Sequence, residues 1–350
     1  MTNWLLYGAN GYTGELIARE AANRGLAPIL AGRSAAKIEP LARELGLRHR
    51  AFAVADADEI AAQLADVEIV LHCAGPFSTT SEPMIEACLR TNTQYLDITG
   101  EIAVFEHAQG LHIRAERAGI VVCPGVGFDV IPTDCLAAIL HKELPDATHL
   151  RLGFDTPFAL SPGTSKSIVE GLSSTGRIRV EKEIISVPQA WRTRRIDFGA
   201  GERLAMTFAA ADVSSAFHTT AIPNIEVYVR VRPWQLGAVR LGGLLRPALA
   251  WPGVQRVLKR LVAAIVRGPA SATRAARPVR VWGEVTNAAG VRRTARVTTA
   301  SLYSITVDGA LAAVAALQGG RRAGGYYTPA QLLGADIVTT LPGSSSVTVD

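Results

Sequence analysis

Gly8-Ala9-Asn10-Gly11-Tyr12-Thr13-Gly14 follows directly on the apolar run Trp4 to Tyr7 and leads directly into a stretch with helical spacing, Glu15 to Arg24. A strand that breaks into a glycine turn and restarts as a helix leaves free backbone N–H groups, and the positive end of the helix dipole, over the turn. That arrangement suits a pyrophosphate. Gly8 lets the chain turn out of the strand, Gly11 removes a side chain where the anion meets the backbone, and Gly14 lets helix and strand pack closely. Thr13 adds a hydroxyl, and Asn10 and Tyr12 complete the loop as candidate cofactor contacts. The plain alternative is a glycine-rich turn that binds nothing, and the placement between strand and helix argues against it.

Working outward, the first 125 residues alternate short apolar runs with helical patterns, the mark of parallel strands joined by crossover helices. Strands are expected at Trp4 to Tyr7, Ala27 to Ala31, His49 to Val54, Ile69 to Cys73, Tyr95 to Ile98 and Ile120 to Cys123. Helices are expected at Glu15 to Arg24, Ala35 to Leu45, Ser81 to Arg90 and Val104 to Ala118. The fold class that follows is α/β, an N-terminal Rossmann domain with a doubly wound parallel sheet, and its ligand crevice lies at the carboxyl ends of the strands.

The second strand ends Leu30-Ala31-Gly32-Arg33-Ser34. A site for NAD usually has an acidic residue there for the ribose hydroxyls. Here a guanidinium takes its place, with Ser34 beside it and Lys37 one helical turn on, so the expected cofactor is NADP, its extra phosphate held by Arg33. The fourth strand ends in Ala74, Gly75, Pro76 and Phe77, small residues and a ring that suit the ribose and nicotinamide. Asp56 has two readings, a contact to the adenine amino group or a cap for the helix from Glu59 to Leu64.

After Pro132 a helix, Thr133 to Leu144, leads into a different pattern. His149 to Asp155, Ile178 to Val187, Arg192 to Phe198 and Glu226 to Val231 alternate as half-exposed strands, and Val279 to Thr286 with Arg292 to Thr299 form a hairpin around Asn287 to Gly290. The expected organisation is a Rossmann NADP-binding domain over 1–145, a mixed α+β substrate and dimerisation domain over 146–305, and a C-terminal helix and tail over 306–350 that return to the first domain.

The net charge of +5 conceals an asymmetry: residues 228 to 330 hold 16 Lys and Arg against 2 Asp and Glu. Such a skew points to an anionic partner. The basic stretch has no aromatic platform spacing and no helix-turn-helix or zinc pattern, which argues against nucleic acid. Cys73, Cys88, Cys123 and Cys135 have no metal-ligand spacing, so neither disulfides nor a metal are expected. No signal segment or apolar run of membrane-spanning length is visible, which makes the cytoplasm the expected location. The segment 254–266 sets Val254, Val257, Leu258, Leu261, Val262 and Ile265 on one face and Arg256, Lys259 and Arg260 on another. It reads either as a helix packed on its own core or on a partner copy, making a homodimer, or as a peripheral membrane contact.

With these residues in hand, the chain resembles the saccharopine dehydrogenase-like NADP-binding oxidoreductases, in particular their trans-acting enoyl reductase branch. The resemblance is carried by Gly8 to Gly14, Ala31 to Arg33, Ala74 to Phe77, Tyr95 to Glu101, Pro124 to Asp134, Thr219 to Asn224 and Tyr327 to Ala330. It implies a Rossmann fold, NADP and a family whose members reduce C=N or enoyl C=C bonds. The function expected on these grounds is NADPH-dependent reduction of such a bond in a small-molecule, apolar or acyl-type substrate. A protein that binds NADP as a redox sensor or scaffold without chemistry, and a peripheral lipid-pathway protein, are the alternatives.

Hydride transfer needs a proton donor at the crevice. Asp129, in the glycine-rich turn after the sixth strand, is the first candidate, with a turn or cap carboxylate as its other reading. Tyr95, which ends the fifth strand beside Asp97 and Glu101, is the second, and core packing is the alternative for it. His218, in the run Ser214 to Thr220, is the third, against a structural histidine. Ser161 to Ser165 opens an expected helix, Ser165 to Leu172, whose N–H groups suit a carbonyl or carboxylate.

Overall fold

The computed structural model describes residues 3–156, 175–244, 251, 253, 254, 278–320 and 322–350. The chain divides into two compact units, Met1–Ile131 with Tyr303–Gly334, and Pro132–Leu302 with Ala335–Asp350. The boundary thus falls at the start of the helix Ile131–Glu143, before the residue 145 expected from sequence, and the last residues join the second unit, not the first.

In the first unit the strands are β1 (Trp4–Tyr7), β2 (Ile29–Gly32), β3 (His49–Ala51), β4 (Ile69–His72), β5 (Gln94–Asp97), β6 (Val121–Cys123) and, late in the chain, β15 (Gly325–Tyr326). They form a parallel sheet in the order β15-β6-β5-β4-β1-β2-β3. The order reverses between β1 and β4, where a ligand crevice opens in a doubly wound sheet. The Rossmann expectation is therefore borne out. The two-residue strand β15, which the sequence pattern was too short to reveal, adds a seventh member beyond β6.

Helix α1 (Tyr12–Asn23) buries Ile17, Ala18 and Ala21, which meet Leu6, Leu30 and Leu71 of the sheet and Val307, Leu311 and Val314 of the helix Leu302–Gln318 in one apolar core. Each fully buried Leu or Ile contributes roughly 1.5–3 kcal/mol. Helix α2 (Ala35–Leu45) adds Ile38, and α3 (Ala57–Leu64) begins at Asp56. Helix α4 spans Phe77–Thr91, one turn longer at its start than the apolar periodicity from Ser81 suggests. The helix expected over Val104 to Ala118 is two, α5 (Ile102–Gly110) and α6 (His112–Ala118), because the chain leaves helical geometry at Leu111.

The second unit is built on a mixed sheet in the order β10-β11-β12-β7-β13-β14-β16, with β8 and β9 paired beside β12. Its strands are β7 (Ala147–Asp155), β8 (Gly176–Val180), β9 (Glu183–Val187), β10 (Thr193–Asp197), β11 (Glu202–Thr207), β12 (Asn224–Arg230), β13 (Val279–Asn287), β14 (Arg292–Thr299) and β16 (Thr348–Val349). β7 and β12 run parallel, and β7, β13 and β14 antiparallel. The expected single strand from Ile178 to Val187 is a hairpin. Glu181 and Lys182 turn with φ of 47° and 73°, the tight geometry that asparagine and glycine normally advertise, so these two residues carry no turn signal. The expected helix Ser165 to Leu172, the Ser161 to Ser165 loop and all of the segment 254–266 except Val254 lie outside the described residues. Among the described residues no helix is long and apolar enough to cross a membrane.

Candidate functional site: the loops at the sheet's switch point

Two loops meet at the carboxyl ends of β1 and β4. Gly8 adopts φ +84°, and a Cβ there would come within 2.9 Å of the Ala74 backbone nitrogen, so only glycine lets the loop after β1 lie against the loop after β4. Its N–H donates to the Ala31 carbonyl at 2.7 Å, which ties the turn to β2. A Cβ at Gly14 would stand 2.2 Å from the Gly8 carbonyl oxygen; the first turn of α1 therefore sits directly on the strand end. At Gly11 the added carbon would meet only that same carbonyl oxygen, at 3.1 Å, so the space over the loop is clear.

Gly11 is the N-cap residue of α1, and no side chain at that position closes the first turn. Ser34 is the N-cap residue of α2, and its hydroxyl makes no cap bond either. By contrast, α3 is closed by Asp56, whose carboxylate accepts the N–H groups of Asp58 (2.8 Å) and Glu59 (3.1 Å). The starts of α1 and α2 thus leave their N–H groups to an outside acceptor, while the start of α3 is satisfied by its own residue. The cap reading of Asp56 is thus borne out, both bonds being made through Oδ1.

Arg33 and Lys37 are exposed, and Arg33 is hydrogen-bonded to none of the described residues. Burial pushes the Tyr7 hydroxyl up to about 12 against an opposing pull from the Arg33 charge. Asn10 is exposed, Thr13 half-buried, and Tyr12 packs edge-on to Tyr303 with ring centroids 4.9 Å apart. The residues fit a dinucleotide with an extra phosphate: a cleared backbone cradle, two uncapped helix starts and a solvent-facing guanidinium at the end of β2.

After β4, Ala74, Gly75 and Pro76 lead to Phe77, whose ring stands edge-on to His72 at 5.4 Å. His72 is buried and neutral, its pKa pushed down to about 3 by desolvation, and it shares its Nε2 with Thr80 Oγ1 at 2.9 Å. Thr80 in turn donates to the Ala74 carbonyl at 2.8 Å. This chain of bonds fixes the loop from beneath.

The loop after β5 is held by Asp97. Its carboxylate accepts the Tyr95 hydroxyl at 2.7 Å and the N–H groups of Thr99 and Gly125, each at 2.9 Å. Burial pushes the Asp97 carboxyl up to about 6, with the three hydrogen bonds pulling the other way. This corrects the reading of Tyr95 as a proton donor to substrate. Its side chain is fully buried, its proton is committed to Asp97, and burial first and then the Asp97 charge hold its ionisation well above the ordinary value. Tyr95 and Asp97 position the loops.

Glu101, next along, reaches back to α4 and accepts the N–H groups of Phe77 (2.9 Å) and Ser78 (2.8 Å). Nothing in the spacing of the sequence marks this cap, since it spans more than twenty residues; only the carboxylate's position just past a strand end hinted at a role.

Asp129 lies in the turn that follows β6. It is hydrogen-bonded to none of the described residues, so it caps no helix. A Cβ at Gly100 would lie 3.1 Å from its Oδ2, so the glycine leaves room for the carboxyl. The side chain meets solvent, yet enough protein surrounds it to push its pKa up to about 6 by desolvation. His218 belongs to the second unit, half-buried in the last turn of the helix Asp212–Thr220 and edge-on to Phe217 at 5.4 Å. The adjacent Thr219 donates to Asp134 at 2.7 Å. The cysteines are free thiols, and no group of potential metal ligands occurs among the described residues.

A parallel sheet with this strand order, a cleared glycine turn at its switch point and an arginine closing β2 define a Rossmann dinucleotide-binding unit. Residues 4–123 match the saccharopine dehydrogenase NADP binding domain. The match covers this first part of the chain, and NADP is the cofactor of the matched domain.

The chain is 28% identical over 205 residues to a saccharopine dehydrogenase-like oxidoreductase of Mus musculus, covering 50% of this chain and 47% of that protein. It is 34% identical over 148 residues to a trans-acting enoyl reductase of Mycobacterium leprae, covering 40% and 35%. The matched stretches thus span less than half the length of these relatives. Among solved structures, apo saccharopine dehydrogenase (L-Glu forming) from Saccharomyces cerevisiae superposes with a TM-score of 0.69 over 100% of both chains at 14% identity. Homospermidine synthase from Legionella pneumophila gives 0.65 at 9%, over 100% of this chain and 91% of the other. At such identities the likeness is one of fold.

Proposed function

We propose that the chain is an NADPH-dependent oxidoreductase that reduces a C=C or C=N bond in an apolar or acyl-type substrate. The observation that carries this reading is the crevice itself, where an unbonded carboxyl, Asp129, and a cleared phosphate cradle belong to the same sheet end. The names of the relatives, oxidoreductase and enoyl reductase, favour the same chemistry.

In this reading the loop from Gly8 to Gly14 binds the pyrophosphate through backbone N–H groups, Arg33 with Ser34 and Lys37 holds the extra phosphate, and the loop from Ala74 to Phe77 flanks the ribose and nicotinamide. When bound, NADPH supplies hydride to one carbon of the double bond. Reduction is completed by a proton at the other atom, and Asp129 holds that proton at a pKa of about 6. Tyr95, Asp97 and Glu101 keep the loops in place.

The test is loss of reduced-nicotinamide absorbance on adding a panel of enoyl thioesters, imines and ketones to the purified protein. Turnover of one class, with saturated analogues inert, supports the reading. Binding of NADPH with no turnover across the whole panel would overturn it in favour of a cofactor-binding protein without chemistry.

A further inference from the structure

On the sheet of the second unit, Arg151 of β7, Arg194 of β10 and Arg292 of β14 gather around Glu284 of β13. Arg194 makes two bonds to the carboxylate, each 2.7 Å, and Arg151 one of 3.0 Å, while Arg292 approaches to 3.6 Å. Beside them Glu226 of β12 accepts from Arg192 at 2.6 Å and from the Tyr228 hydroxyl at 2.7 Å. These side chains, with Thr193, line a cavity of about 370 Å³.

The balance of charge in this cavity is uneven. Four guanidiniums face two carboxylates, leaving two positive charges. Burial alone would raise the Glu284 carboxyl, but Arg194 first, then Arg292 and Arg151, hold it below its ordinary value, so it stays ionised. Glu284 is only 2% exposed and is satisfied by Arg151 and Arg194, whereas Arg192 and Arg292 at the rim are 58% and 61% exposed. Each guanidinium carries five donors in a rigid fork, far more than two carboxylates accept. The buried glutamates therefore fix the arginines in place, and the surplus donors at the rim face outward, open to an acceptor.

We propose that this cavity binds a phosphate monoester group, whose two negative charges and several acceptor oxygens match the surplus of charge and donors. The site lies wholly within the second unit and does not rest on the oxidoreductase reading. Of its four arginines only Arg292 belongs to the basic stretch 228 to 330; Arg151, Arg192 and Arg194 come from before it. The group comes either from a free phosphorylated compound or from a lipid headgroup, and the chemistry is the same.

The test is calorimetric titration of the full chain with inorganic phosphate, and co-sedimentation with phosphatidylcholine vesicles with and without phosphatidic acid. Saturable binding of phosphate is expected, tightening as pH rises and the titrated phosphate loses its second proton. In the double variant Arg192→Gln/Arg292→Gln affinity falls roughly tenfold or more, since a bond to a charged group contributes more than the 1.4 kcal/mol that a factor of ten requires. Arg292→Lys gives a smaller loss, because it keeps the charge and loses the fork. Neither variant changes NADPH affinity, which also reports that it is folded. Binding only to phosphatidic acid vesicles, lost in the double variant, assigns the group to a lipid. No binding to either probe, or binding equally strong in the double variant, overturns the proposal.

Discussion

Glu101 and Phe77 are joined across two loops of the first sheet: the carboxylate that follows β5 accepts the N–H group that opens α4, at 2.9 Å. A second bond, from Ser78, completes the cap. An N-terminal cap contributes about 1 kcal/mol, and a charged one gains further from the helix dipole.

Glu101→Ala should therefore lower stability by about 1–2 kcal/mol in chemical denaturation. The same cap anchors the loop from Ala74 to Phe77, so the affinity for NADPH should fall as well, while Glu101→Gln, which keeps one acceptor, should lose less of both. If Glu101→Ala unfolds at the native denaturant midpoint and binds NADPH as the native chain does, the bond does not position the loop.

Asp97 gives a pH dependence of defined sign. Burial raises its folded pKa to about 6, above the ordinary value of about 3.9 that it regains on unfolding. A carboxyl raised in the folded state favours folding when protonated. The contribution is full below about pH 4, is lost as pH rises from about 4 to about 6, and is absent above that window. In Asp97→Asn the amide oxygen can still accept the Thr99 and Gly125 N–H groups, both of which bond Oδ1, and the NH₂ can donate to the Tyr95 hydroxyl. Denaturation of the two proteins at several pH values should show the native chain losing stability relative to the variant across this window. Parallel curves would mean that Asp97 does not titrate there.

Much of this site was legible because phosphate binding is written in short-range pattern. A strand, a glycine turn and a helix are contiguous, and so are β2 and Arg33; local spacing carried both the Rossmann fold and the choice of cofactor. What stayed hidden depends on long-range contact. Tyr95 stands in the strand that leads to the crevice, but whether its hydroxyl meets substrate or Asp97 is decided by packing. The turn at Glu181 and Lys182 has no local signal, because neither residue usually takes positive φ. Arg151, Arg192, Arg194 and Arg292 lie far apart in sequence, and their gathering on Glu226 and Glu284 depends on the register of five strands.

On the proposed reading Arg33 sets the cofactor preference. Without a carboxylate to hold ribose hydroxyls, discrimination rests on a guanidinium that is engaged by none of the described residues. Arg33→Ser should weaken NADPH binding by roughly 10- to 100-fold, the worth of a charge-assisted phosphate contact, and leave NADH binding nearly unchanged. Fluorescence titration with both nucleotides measures the ratio. Retention of the native preference in this variant would move phosphate recognition to another group.

Asp129 provides the sharpest test of chemistry against binding. Gly100 leaves room for its carboxyl, and desolvation holds a proton on it up to about pH 6. If that proton completes the reduction, kcat/KM follows the protonated form and falls as pH rises through about 6. Asp129→Asn cannot release a proton and should lose a factor of roughly 10² to 10⁴ in kcat, the usual worth of general acid catalysis, with the falling limb gone from its residual activity. NADPH affinity should be unaltered, because the proposed phosphate contacts lie on the loops after β1 and β2. Gly100→Ala is the independent check, since its methyl would stand 3.1 Å from Oδ2 and displace the carboxyl without changing its charge. If Asp129→Asn turned over at the native rate with the native pH profile, the proton would have to come from elsewhere, and the carboxyl would be left as a feature of the turn.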